Sequence, residues 1–119
     1  MEPLVLVISA QPGSLVDAVR NCGFRALSDS DPNSADAILY DADTMPAAQA
    51  SELAAGTVPC IIIATGYDAA RWSEWLKRGA SSILRRPISR QDLAGSLATA
   101  LPGAQLPSPA NWLRRLLHE

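Results

Sequence analysis

A short apolar run closed by an acidic residue is the feature that most constrains the fold. Residues 37–40 read Ala-Ile-Leu-Tyr without polar alternation, and Asp41 follows at once. An uninterrupted run of this kind is typical of a strand covered on both faces, as in a parallel sheet, rather than of a strand with one wet face. Asp41 is therefore expected at the carboxyl end of a central strand, where open α/β sheets place their ligands.

The other segments predict a doubly wound parallel sheet. Residues 4–8 and 58–64 are two more apolar runs, residues 25–27 and 82–85 are shorter strand candidates, and helix-permissive segments separate most of them. Residues 28–34, all turn formers, leave no room for a helix between the second and third strands. The order β-α-β-β-α-β-α-β-α predicts an α/β domain with a five-stranded sheet. Right-handed crossovers then put Ser9, Asp41 and Thr65 at one carboxyl edge.

Length and composition bound the class of protein. A chain of 119 residues forms one domain, here residues 1–101, followed by a proline-containing linker and a short amphipathic C-terminal helix in residues 102–119. The net charge of -2 gives no basic field, so nucleic acid is not expected to bind directly. Cys22 and Cys60 stand alone, which predicts no metal site and a reducing, cytoplasmic setting. No apolar run is long enough to span a membrane.

Several short motifs in order resemble the receiver domains of bacterial two-component response regulators. Residues 79–88, Gly-Ala-Ser-Ser-Ile-Leu-Arg-Arg-Pro-Ile, are similar to the Gly-Ala run that ends in Lys-Pro in that family. Residues 36–41 resemble the third strand that ends in the phosphoacceptor, here Asp41, and Met45 and Pro46 resemble the Met-Pro that follows it. Thr65 resembles the switch residue. The resemblance covers roughly residues 3–101 and implies the flavodoxin-like receiver fold.

By the same resemblance, further residues receive roles. Ile83 stands at the aromatic or apolar switch position of the fifth strand, and Arg86 with Pro87 stands where the family has its lysine and a proline after a cis peptide bond. The acidic pair that holds Mg²⁺ in the family is replaced by Ser9 and Ala10. Mg²⁺ requires anionic oxygen ligands, and acyl phosphate formation requires that its charge be neutralised, so this departure indicates a degenerate, or pseudo-, receiver.

Two features leave the acidic site open to interpretation. Asp43 is a second candidate for the phosphoacceptor, because the stretch between Asp41 and Met45 carries one residue more than the family spacing. If the strand continued that far, alternation would also put both aspartates on the same side of it. Asp29 or Asp31 could supply a missing carboxylate, although both are simpler as turn residues. Arg86 could pair permanently with Asp41 and imitate part of the phosphorylated state.

The sequence thus favours a signalling module, not an enzyme, without a cofactor. It would act in signal transduction or transcriptional regulation through a protein partner, an effector domain or a homodimer. Output in receivers runs through the helix after the fourth strand, the fifth strand and the last helix, approximately residues 68–101. The candidate interaction residues there are Trp72, Trp75, Arg85 and Arg90. The two tryptophans lie on one helical stripe, and packing against the sheet is the alternative explanation for them.

Two alternatives remain at this point. One is a phosphorylatable receiver with a rearranged acidic site at Asp41 or Asp43. The other is a flavodoxin-like domain that binds a small ligand, against which the absence of a glycine-rich phosphate loop argues.

Overall fold

Five parallel strands form the centre of the computed structural model, which describes residues 3–66 and 68–101. They lie in the order β2-β1-β3-β4-β5, and every neighbouring pair is parallel. The predicted five-stranded, doubly wound sheet is therefore confirmed. The strands are β1 (Leu4–Ile8), β2 (Arg25–Leu27), β3 (Ala37–Asp41), β4 (Cys60–Ala64) and β5 (Ser82–Arg85).

Three helices connect the strands, a fourth helix follows β5, and one predicted gap is confirmed. Between β2 and β3 the described chain makes a single 3-10 turn, Pro32–Ser34, in place of a helix. The side chain of Asp31 caps this turn by accepting a hydrogen bond from the Asn33 N–H at 2.9 Å. The helices are α1 (Gly13–Asn21), α2 (Ala47–Ala54), α3 (Ala69–Arg78) and α4 (Arg90–Ala100).

The sheet is covered on both faces, which explains the uninterrupted apolar runs. Every residue of β3 and of β4 is buried. Successive side chains alternate between two cores: Leu39 packs in the core that includes residues of α1 and α4, and Tyr40 packs in the core that includes residues of α2 and α3. A strand with a core on each side cannot show the polar alternation of a half-exposed strand.

The end of α3 lies against the end of α2 at Gly79. This residue has a φ angle of +124°, which side-chain-bearing residues rarely adopt, and a Cβ atom there would lie 2.8 Å from the carbonyl oxygen of Ala54. Glycine is therefore required both by the backbone conformation and by the close approach. At the other end of α3, the Asp68 carboxylate caps the helix by accepting from the Arg71 N–H at 3.1 Å.

None of the helices within the described residues has the length and apolarity needed to cross a membrane. The predicted linker and amphipathic C-terminal helix, residues 102–119, lie outside the described residues.

Candidate functional site

Asp41 is the last residue of β3, the middle strand of the sheet, and its position there is as predicted. It pairs in register with Ile63 of β4, and its side chain is only 2% exposed. Among the described residues it is the single buried residue with a charged side chain. A carboxylate in such a place is costly unless its oxygens receive hydrogen bonds and a countercharge.

Arg86 supplies the countercharge with two hydrogen bonds. Its Nη1 donates to Asp41 Oδ1 at 2.9 Å and its Nη2 donates to Asp41 Oδ2 at 3.2 Å. The Arg86 N–H also donates to the Ala64 carbonyl at 3.2 Å, so the arginine leaves β5 at the edge where Asp41 lies. The Arg86-Pro87 peptide bond that follows is cis, as predicted. A planar guanidinium matches a carboxylate in this two-point geometry, which an ammonium cannot do.

Two hydroxyl groups and one backbone amide complete the surroundings of Asp41. Ser9 Oγ donates to Asp41 Oδ2 at 2.8 Å, and Thr44 Oγ1 donates to the same oxygen at 3.1 Å. The Asp43 N–H donates to Asp41 Oδ1 at 3.1 Å. Thr44 in turn accepts from the Ala10 N–H at 3.0 Å. Both positions of the missing acidic pair therefore take part in this network, through neutral groups rather than carboxylates.

Asp43 lies in the turn after β3 and binds the end of β4. Its Oδ1 accepts from the Thr65 N–H at 2.9 Å, and its Oδ2 accepts from Thr65 Oγ1 at 2.7 Å. Arg86 Nη1 also contacts Asp43 Oδ2, so one guanidinium nitrogen bridges the two carboxylates. Strand continuation was the wrong reason for expecting both aspartates together, because β3 ends at Asp41. A turn closed by the Met45 N–H on the Asp41 carbonyl, at 3.0 Å, brings them to the same cation instead.

The electrostatics of the pair favour charged carboxylates. Burial raises the pKa of Asp41, but the hydrogen bonds from Arg86 and Ser9, the positive charge of Arg86 and the Thr44 hydroxyl outweigh burial, and the pKa lies below its ordinary value. Burial likewise raises the pKa of Asp43, while the two hydrogen bonds from Thr65 and the contacts with Arg86 lower it below its ordinary value. The hydrogen bond to Asp41 is the largest cause that raises the pKa of Arg86. All three groups are therefore ionised near neutral pH.

These residues do not fit a bound Mg²⁺ ion. Magnesium needs near-octahedral oxygen ligands with carboxylates among them. Both oxygens of Asp41 already accept hydrogen bonds, and Ser9 and Ala10 bring no negative charge. Throughout residues 3–66 and 68–101 no group of three or more His, Cys, Asp or Glu is placed to hold a metal ion. The guanidinium of Arg86 supplies the positive charge at this site.

The alternative acidic ligands from the β2–β3 loop do not join the site. Asp31 caps the 3-10 turn, and Asp29 is exposed. Ile83 is half-buried on β5 and packs against the core on the α2 and α3 side of the sheet. It occupies the expected strand, and its role as a switch residue stays a prediction.

The predicted interaction surface needs one correction. Trp75 is 2% exposed and packs in the core next to α2 and β4, because its position on α3 faces the sheet. Trp72 is half-buried, and Leu76, one turn further along, is 51% exposed. Arg85 is exposed at the end of β5. Arg90 is exposed too, but its Nη2 donates to the Asn21 carbonyl at the end of α1, at 2.8 Å.

Sequence reasoning missed the part played by Thr44. A hydroxyl three residues after a strand-ending aspartate, in a polar turn, is the only sequence signal for it, and such residues are common in turns that have no function. The hydrogen bond from Ser9 was missed for a similar reason, since that position was read only as the loss of a carboxylate.

Comparison with solved structures identifies the fold. The chain is similar to the receiver domain protein from Clostridium thermocellum, with a TM-score of 0.68, 20% identity, and coverage of 98% of this chain and 99% of that one. It is similar to the chemotaxis protein CheY4 of Vibrio cholerae, with a TM-score of 0.69, 16% identity, and coverage of 85% and 100%. For the receiver domain of a sensor histidine kinase from Pseudomonas aeruginosa, which has a magnesium ion coordinated in its active site cleft, the TM-score is 0.64 at 19% identity, with coverage of 84% and 98%.

No protein-family model matches the sequence, and no curated protein sequence matches it significantly. The likeness is therefore one of three-dimensional structure, and it extends over nearly the whole length of these three proteins. The chain has the flavodoxin-like α/β fold of response regulator receiver domains.

Proposed function

We propose that this domain is a pseudo-receiver that acts in signal transduction through protein contacts and does not depend on Mg²⁺-assisted phosphorylation of an aspartate. The observation that carries the proposal is the two-point contact of Arg86 with Asp41. In this contact the positively charged guanidinium of Arg86 occupies both oxygens of Asp41, the residue at the position of the phosphoacceptor in receivers.

The chemistry of phosphoryl transfer supports this proposal. Transfer to an aspartate requires a carboxylate oxygen to approach phosphorus in line, with cations neutralising the phosphoryl oxygens. Asp41 is 2% exposed, and its oxygens accept hydrogen bonds from Arg86, Ser9, Thr44 and the Asp43 amide. An incoming phosphoryl group would have to displace these donors, and Ser9 and Ala10 bring no carboxylate that could help to hold Mg²⁺.

The face that includes α3 and β5 is the proposed contact surface. It carries the exposed Leu76, the half-buried Trp72 and Ile83, and the exposed Arg85. Large apolar side chains on a surface rimmed by charge are typical of protein interfaces. The partner would be another protein, an effector domain or a second copy of this chain. A role in transcriptional control is part of this proposal only by its likeness to receivers.

Incubation of the wild-type protein with acetyl phosphate and Mg²⁺ tests the proposal. In that reaction a carboxylate oxygen would attack phosphorus and acetate would leave, which adds a phosphoryl group to the protein. We expect the intact-protein mass to stay unchanged, because the oxygens of Asp41 are occupied and the metal ligands are missing.

An authentic receiver domain treated in the same way serves as the positive control. A phosphoryl adduct on the wild-type protein that disappears in Asp41→Asn or in Asp43→Asn would contradict the proposal. It would favour a phosphorylatable receiver with a rearranged acidic site.

A further inference from the structure

At its β2 end the sheet has an apolar side chain that is open to solvent. Ala26 of β2 is buried in the core that includes residues of α1 and α4. Leu27, the next residue, points to the opposite face, belongs to neither core of the described residues and is 41% exposed. It lies beside Leu6 of β1, with which it pairs in register. The face that α2 and α3 cover elsewhere is therefore open at Leu27.

The short connection between β2 and β3 is the cause. A right-handed crossover from β2 over β1 to β3 passes on the α2 and α3 side of the sheet. Such a crossover usually takes about a dozen residues or more and contains a helix. Here residues 28–36 make the connection with one 3-10 turn, and Ala35 packs in the same core as Leu6. The loop covers Leu6, which is 2% exposed, but leaves Leu27 open.

The C-terminal residues 110–118 have the sequence of an amphipathic helix. Such a helix would carry Trp112, Leu113, Leu116 and Leu117 on one side. It would be similar in length to α2, which has eight residues and covers the same face of the sheet beside β4. The apolar side of such a helix is suited to cover Leu27.

The linker is long enough to carry this segment to Leu27. Leu101 follows α4 and is buried in the core on the α1 side of the sheet. Because α4 begins after the carboxyl end of β5, it returns the chain towards the amino edge of the sheet. From there residues 102–109 can span up to roughly 26 Å, at about 3.3 Å per residue. The opposite helix layer is about 20 Å away, twice the roughly 10 Å thickness of a helix layer.

Charge favours the same placement. The β2–β3 loop contains no Lys or Arg, and three exposed aspartates lie in it: Asp29, Asp31 and Asp36. With the exposed Arg25 of β2 counted, this region still has a net negative charge. The polar side of the predicted helix carries Arg114 and Arg115. A helix lying on Leu27 would bring both arginines near the acidic loop, where opposite charges attract.

We propose that residues 110–118 form an amphipathic helix that docks on the β2 end of the sheet, with its apolar side on Leu27, and takes the place of the helix that is missing between β2 and β3. The docking is intramolecular. It goes beyond the proposed function, since it does not depend on the contact between Arg86 and Asp41. A docked segment would close this face to other proteins and leave the surface that includes α3 and β5 for a partner.

Amide hydrogen exchange of the whole 119-residue chain, followed at residues 112–117, tests the docking. In the wild type we expect these amides to exchange slower than in an unstructured chain by about tenfold or more. An isolated helix this short is marginal in water, so such protection requires docking. Leu27→Lys puts a positive charge on the docking face and should remove the protection. Leu76→Lys, at the exposed leucine of α3, is the matched control and should leave it unchanged.

Variants of the segment itself provide a second readout. Leu116→Asp puts a charge on its apolar side and should shift the amide signals of Ala26 and Leu27. Asn111→Asp, on the polar side, should leave both signals in place. If Leu27→Lys does not fold, this pair of variants decides the question, because neither changes a residue of the sheet.

Exchange of the wild-type amides at the rate of an unstructured chain would overturn the inference. Equal protection in Leu27→Lys and Leu76→Lys would do so as well, because the segment would then lie elsewhere. Protection that increases with protein concentration, together with a dimeric mass in sedimentation, would also contradict it, since the segment would then dock on a second copy of the chain.

Discussion

Replacing Arg86 by methionine is expected to lower the free energy of unfolding by about 2–4 kcal/mol at neutral pH, since breaking a buried ion pair leaves an uncompensated charge. Asp41 is 2% exposed and would keep only its neutral donors. The Arg86 side chain is 31% exposed, so part of its charge is already screened by water, and the value is set below that for a fully buried pair. Urea denaturation of both proteins measures the difference.

The neighbouring arginine provides a matched control for this change. Arg85→Met alters the previous residue, whose side chain is exposed, and should change the free energy of unfolding by less than about 0.5 kcal/mol. Arg86→Lys keeps the charge but not the two-point contact, and should fall between the wild type and Arg86→Met. Equal stability of Arg86→Met and Arg85→Met would show that Asp41 does not depend on Arg86.

The pH dependence of this difference follows from the lowered pKa of Asp41. A carboxyl group whose pKa is lower in the folded than in the unfolded protein stabilises the fold above its unfolded pKa, and the contribution is lost as the pH falls through the folded value. Without Arg86, only hydrogen bonds from neutral donors such as Ser9 and Thr44 would oppose the effect of burial, so the pKa of Asp41 would be higher in the variant than in the wild type. Protonation would then remove the uncompensated charge at a higher pH. The difference between Arg86→Met and the wild type should therefore shrink below about pH 4.

Replacing Trp75 by alanine is expected to cost about 3–5 kcal/mol of folding free energy, the usual range for removing a large aromatic side chain from a core. Trp75 is 2% exposed and packs in the core between the sheet and the α2 and α3 layer. Its loss would leave a cavity at the point where α3 contacts both α2 and the sheet. Thermal or urea unfolding, followed by far-ultraviolet circular dichroism, gives the value.

Two positions on the same helix complete this test. Trp72 is half-buried, so Trp72→Ala should cost less than half as much as Trp75→Ala, whereas Ser73→Ala at an exposed position should have almost no effect. Equal destabilisation by Trp72→Ala and Trp75→Ala would contradict the assignment of Trp75 to the core and of Trp72 to a half-buried position.

The sheet was predictable from the sequence because burial on two faces leaves a direct signature. The runs at residues 37–40 and 58–64 lack polar alternation since each strand has a core above and below it. The missing helix before β3 was equally predictable, because residues 28–34 contain only turn formers and too few residues for a helix and its connections. Asp41 could be placed at the carboxyl edge because it ends such a run.

The hydrogen bonds within the site could not be predicted in the same way. Whether Arg86 reaches Asp41 depends on the direction that the chain takes after the end of β5. The second contact, to Asp43, depends on the geometry of the turn after β3, which the sequence Ala-Asp-Thr-Met does not specify. Which of the two tryptophans on α3 is buried could not be predicted for a related reason. A helical stripe shows that two tryptophans share a side of α3, and only the packing of that helix decides which one faces the core.

The most direct test of the central claim, that Arg86 permanently engages Asp41, is an amide chemical-shift titration of the wild-type protein with Mg²⁺ and then with beryllofluoride, a mimic of a phosphoryl group on aspartate. We predict that the signals of Asp41, Thr65 and Arg86 stay in place at millimolar concentrations of both. If these three signals move together and saturate, the carboxylate is accessible, and the domain is a working phosphorylation switch rather than a fixed interaction module.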